Sequence, residues 1–149
     1  MKNAILYTLS IFLILCTVSA AFAVSGANDF TVPYGYEETN GDEDLANYNY
    51  DGLGYNLHIM IQQFDSFDDA KAEMYDTYNY VDNMSVFYDE DYGDEGFEEI
   101  VQDDGKYYLV SFYTIGGHIG SYSDQALEPL VKGIDEFNEL NHVTPLPLQ

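Results

Sequence analysis

The sequence predicts an α+β domain: an antiparallel sheet of about five or six strands with two helices packed on it, behind an N-terminal signal or anchor segment. Three observations carry this. Asp51-Gly52 and Asp104-Gly105 each sit between runs of alternating apolar and polar residues, the strongest short signal for a hairpin. Two further segments repeat their apolar residues at helical spacing. The order that results is strand, hairpin, helix, hairpin, helix.

The chain has 149 residues, room for one domain. Lys2 precedes an apolar run that ends in small residues, and Ala21-Phe22-Ala23 matches the pattern ahead of a signal-peptide cleavage site. Val18-Ser19-Ala20 is a second candidate. Residues 1–23 therefore read as a signal peptide. The run approaches the ~20 residues that span a bilayer, so an uncleaved anchor is the alternative. Either way the acidic part crosses, which predicts a secreted or cell-surface protein that meets the membrane only through this segment, if it is uncleaved. Cys16, the only cysteine, lies inside the run. Leu15 before it is not the small residue a lipoprotein box needs. Cleavage would leave a chain with no disulfide and no thiol chemistry.

Each element follows in turn. Phe30-Thr31-Val32-Pro33 reads as a short strand ended by proline, and residues 37–44 (EETNGDED) as an exposed acidic loop. With Asp51-Gly52 as a two-residue turn, Tyr50 faces Leu53, Tyr48 faces Tyr55 and Ala46 faces Leu57. Alternation then puts Ala46, Tyr48, Tyr50, Leu53, Tyr55, Leu57, Ile59 and Ile61 on one face. Ser66 caps a helix whose stripe of Phe67, Ala70, Met74, Tyr75, Tyr78 and Val81 runs to about Asp82-Asn83. Residues 84–88 form a short strand, and 89–95 (DEDYGDE) a second acidic loop.

The second hairpin turns at Asp104-Gly105 and pairs Asp103 with Lys106, Val101 with Tyr108, Glu99 with Val110 and Phe97 with Phe112. Its return strand, 106–115, is apolar on both sides, which places it inside the sheet. A last helix, capped by Ser123 or Asp124, carries Ala126, Leu127, Leu130, Val131, Ile134, Phe137 and Leu140 as its stripe. Pro129 suggests that the regular helix starts around Glu128, with the proline in its first turn. The domain spans 29–141, and 142–149 is a flexible tail.

The opening Phe30-Thr31-Val32-Pro33-Tyr34-Gly35-Tyr36, together with the element order, resembles the PsbP/Mog1-like group and small secreted α+β proteins of methanogenic archaea. That resemblance implies the α+β fold and favours a binding or scaffolding role. It brings no active site.

The charge bounds the function. Four Lys+Arg stand against 27 Asp+Glu, a formal net charge of −23. Such a chain repels nucleic acid and anionic lipid. Asn47, Asn49, Asp51 and Gly52 imitate the start of a calcium loop, but His58 stands where a bidentate Glu is needed, and the flanks have strand period. The acidic loops are the better candidates for calcium, through Asp42 and Asp44 in one and Asp89, Asp91, Asp94 and Glu95 in the other. Otherwise no cofactor is expected. No zinc motif, nucleophile elbow, P-loop or dinucleotide fingerprint occurs. His118, in Gly116-Gly117-His118-Ile119-Gly120, is the one catalytic candidate, set in a glycine loop ahead of a helix. The expectation is a non-enzymatic binding or accessory domain outside the cell, its partner an extracellular protein, a glycan or a cation. The alternatives are a carboxylate-dependent extracellular hydrolase and a divalent-cation binder.

Overall fold

The computed structural model describes residues 23–52, 55–74, 79–81, 83–89, 94–114 and 124–149. Among these, the strands are β1 (Glu37–Gly41), β2 (Leu45–Gly52), β3 (Tyr55–Phe64), β4 (Asn79–Val81), β5 (Met84–Asp89), β6 (Asp94–Asp103) and β7 (Lys106–Thr114). They form one seven-stranded sheet in the order β1-β2-β3-β7-β6-β5-β4, every described pairing antiparallel. The two helices are α1 (Phe67–Glu73) and α2 (Asp124–Asn141), and a 3₁₀ turn covers Ala27–Asp29. The class is therefore α+β, with more strands than the sequence shows.

Two meanders meet at the β3–β7 ladder, so β7 lies at the centre, as its two apolar sides require. Its alternation feeds two cores. Tyr108, Val110 and Phe112 join Ile59, Ile61, Phe97 and Val101 beneath Leu130, Ile134 and Phe137 of α2. Phe30 enters the same core, its ring 4.8 Å from Tyr108 and 5.4 Å from Phe137. On the other face Leu109 and Ile100 pack with Ala70 of α1 and with Leu148. Burying each large apolar side chain is worth roughly 1.5–3 kcal/mol against the chain entropy.

The second hairpin forms in the predicted register, with Asp103↔Lys106, Val101↔Tyr108, Glu99↔Val110 and Phe97↔Phe112. Asp104 (φ 44°) and Gly105 (φ 76°) both take positive φ, as a type I′ turn demands. The first hairpin differs. Tyr50 pairs with Leu57, Tyr48 with Ile59, and Gly52 with Tyr55. The pairing has shifted by an even step, so among the described residues Ala46, Tyr48, Tyr50, Leu57, Ile59 and Ile61 still share one face. Ala46, Tyr48, Leu57, Ile59 and Ile61 are all buried in the main core.

Other expectations give way. Phe30-Thr31-Val32-Pro33 is not a strand. The Thr31 N–H donates to Asn141 Oδ1 (2.8 Å) and its carbonyl accepts from Asn141 Nδ2 (2.7 Å), so a helix side chain takes the bonds a ladder would use. EETNG is β1 rather than a loop; it is exposed nearly throughout. An edge strand with nothing over it needs no apolar alternation, and its acids and bulge discourage further pairing.

Ser66 caps α1, its Oγ accepting from the Asp69 N–H at 3.1 Å. The helix stops at Glu73, and Met74 is already extended (φ −60°, ψ 145°). Asn79–Val81 instead pairs with β5, in keeping with the strand preference of aromatic and β-branched residues. Asn83 (φ 65°) supplies the left-handed turn residue. Helix α2 already begins at Asp124 and carries Pro129 within it.

The segment read as a flexible tail lies across the second core. The Leu146 N–H donates to the Ile100 carbonyl (2.8 Å), and Leu148 is 3% exposed. At the other end packing starts before residue 29, since Val24 and Ala27 are buried.

Candidate functional site

Acids almost never sit fully buried without a partner. Strand β6 buries three, Glu95 (3% exposed), Glu98 (1%) and Glu99 (0%). Strand alternation sends Glu95 and Glu99 toward α2, and Glu98 to the opposite face. They are held there by the apolar positions around them: Phe97 and Val101 flank Glu99, and its cross-strand neighbour is Val110. The described lysines lie elsewhere. Lys71 Nζ donates to the Leu148 carbonyl (2.5 Å), Lys106 pairs with exposed Asp65 (2.5 Å), and Lys132 is exposed.

Glu99 meets α2. Asn138 Nδ2 donates to its Oε2 at 3.1 Å. Glu99 Oε1 and Asn138 Oδ1 are buried and have no hydrogen-bond partner among the described residues. Burial is the main cause that pushes the carboxyl up to about 7; the amide bond opposes this and Asp135 adds to it. The group is thus poised between neutral and charged forms near neutrality, unlike any ordinary surface glutamate.

Glu98 belongs to a polar row across the sheet. Ser111 Oγ donates to its Oε1 at 3.1 Å, and Ser85 stands opposite it on β5. Ser85 Oγ is buried with no partner among the described residues. In the adjacent row His58 stacks on Tyr113, with ring centroids 5.3 Å apart at 25°. On the α2 side, the buried Tyr36 hydroxyl also lacks a partner among the described residues. Burial first, then Tyr50 and Glu136, pushes that phenol to about 12, so it stays neutral.

The residues singled out from sequence are not gathered into one site. Asp42 Oδ1 accepts from the backbone N–H groups of Asp44 and Leu45, each at 2.9 Å. It is a turn-building residue between β1 and β2. Asp44 is exposed, and its carbonyl accepts from the Gln63 N–H (2.9 Å). Glu95 is not in a loop but in β6, in register with Tyr88 and Thr114. Asp89 and Asp94 are a cross-strand pair at the ends of β5 and β6. Asp91 and His118 lie outside the described residues. Among the described residues no three His, Cys, Asp or Glu side chains are grouped to hold a metal ion.

Along the outer side of α2, Lys132, Asp135, Glu136, Glu139, Leu140 and His142 line an open groove of about 720 Å³. No described helix is long and apolar enough to cross a membrane. Comparison with protein-family models, curated proteins and solved structures returns no match.

The sequence already contained a sign of Glu99, because the predicted register puts an acid between Phe97 and Val101 on an apolar face. Its helix partner, Asn138, carries no such sign.

Proposed function

We propose that this chain is a non-enzymatic acidic α+β domain that acts outside the cell, secreted or held at its surface, and binds a basic protein there. The carrying observation is the charge, 27 acidic against four basic side chains. Two of those bases are engaged within the chain, Lys71 and Lys106. The exposed acids therefore present an almost uncompensated field that steers cationic partners and repels polyanions. The leader-like residues 1–23 support the location. The resemblance to the PsbP/Mog1-like group supports a binding role, by analogy of fold alone.

The test is titration of a small basic protein into the folded chain across salt concentrations. Two charge-neutralised variants are run beside it. One carries Glu37→Gln and Glu38→Gln on β1, the other Asp135→Asn, Glu136→Gln and Glu139→Gln on α2. A built surface loses affinity strongly in one variant and little in the other. Equal small losses describe a diffuse polyanion and overturn the reading. Calcium titration by calorimetry at matched ionic strength, and a glycan panel, show whether a cation or a sugar is the ligand instead.

A further inference from the structure

Sequence and structure converge on one peptide bond. Ala21-Phe22-Ala23 is the small-residue pattern that a signal peptidase cuts after. Ala23 is exposed. One residue later the chain is docked: Val24 is 8% exposed, Ala27 0% and Phe30 4%. The Ala27 N–H donates to the Glu43 carbonyl (2.8 Å), and Ser25 binds the Asp29 carboxylate through its N–H and hydroxyl. At the head of this segment the Val24 N–H donates to Asp103 Oδ2 at 2.7 Å.

Asp103 closes β6 at the second hairpin, in register with Lys106. Lys106 Nζ is engaged by Asp65, and among the described residues the Asp103 carboxylate accepts from the Val24 N–H. The surroundings are negative. The Tyr108 phenol is pushed up first by burial and then by Asp103, Asp104 and Asp29. A cation placed at Val24 N would meet an acceptor and a favourable field.

Hydrolysis makes that cation. Water adds across the Ala23–Val24 bond, the Ala23 carbonyl carbon leaves as a carboxylate, and the Val24 nitrogen becomes an amine. Near neutral pH an α-amine is largely protonated. We propose that a signal peptidase cuts after Ala23, and that the new Val24 ammonium forms an ion pair with Asp103 which seats residues 24–30 on the domain. Cleavage thus replaces an amide hydrogen bond by a charge-assisted one, shorter and about twice as strong. This rests on the reading of residues 1–23 as a leader.

The full chain with its leader is expressed in a secreting host, and the mature protein is collected. N-terminal sequencing is expected to start at Val24. On the same material, acylation of the α-amine at about pH 8 is expected to run about fivefold slower than in Asp103→Asn, the change in free-amine fraction at that pH for one unit of amine pKa. In the unsubstituted protein, NMR titration of that amine is expected to give a pKa above its ordinary ~7.7–8.0. A start at Met1 overturns both this proposal and the secreted reading. A start at Val24 with equal acylation rates, or with an amine pKa at or below the ordinary range, overturns the ion pair alone. A start at any other residue overturns the cleavage site.

Discussion

Asp65 and Glu99 are both acids on this very acidic chain, and they behave in opposite ways. Asp65 is exposed, and the hydrogen bond and charge of Lys106 hold its carboxyl below the usual range. Glu99 is sealed between β6 and α2 with an amide for company, and burial holds its carboxyl near neutrality. The number of acids on the chain therefore says little about its response to pH between mildly acidic and neutral solution. Burial decides it acid by acid, and Glu99 is shifted in the direction opposite to Asp65.

The largest expected effect empties part of the apolar core beneath α2. Phe137 is fully buried and packs on Phe30 and Phe112. Phe137→Ala is expected to destabilise the fold by roughly 3–5 kcal/mol in urea unfolding.

The second effect is the pH dependence itself. The Glu99 carboxyl rises from 4.5 to about 7 on folding. A raised acid pKa gives stability that is full below the unfolded value and lost as pH climbs through the folded one. Between about pH 4.5 and about pH 7 the chain is expected to lose about 3 kcal/mol.

A smaller effect belongs to the surface. Asp42→Ala leaves two backbone N–H groups to water, an expected loss of about 1 kcal/mol. Calcium calorimetry on the same variant checks that the residue builds a turn and does not bind an ion. The smallest effect is Lys106→Ala, which breaks an exposed ion pair. Its melting midpoint is expected to stay where it was, and a large shift would erase the contrast between the two acids.

How much of this was legible depended on how local the cause is. Asp104-Gly105 fixes its own φ values, so the register of the second hairpin is readable to the residue. Ser66 likewise caps with its own hydroxyl. At Asp51-Gly52 the turn slid, yet the faces held because the slide was even. Polar β1 and three-residue β4 were not legible, since an exposed edge strand shows no alternation and a very short one shows no period. The end of α1 was missed because Met74, Tyr75, Tyr78 and Val81 fit a helical stripe, while β5 offers Asn79–Val81 a ladder. The candidate site was half visible. An acid on an apolar strand face marks Glu99, but the amide that meets it lies 39 positions away and is set by tertiary packing.

The contrast between interior and surface acids is decided most directly by urea unfolding of the wild-type chain and Glu99→Gln, measured from about pH 4.5 to about pH 8. A glutamine there can keep a side-chain hydrogen bond with Asn138 but cannot ionise. The wild-type stability is expected to fall by about 3 kcal/mol relative to Glu99→Gln across that range, with half of the fall reached at about pH 6, between the unfolded value of 4.5 and the folded value of about 7. Two curves that run parallel throughout would contradict it, and would assign the pH response to groups other than Glu99.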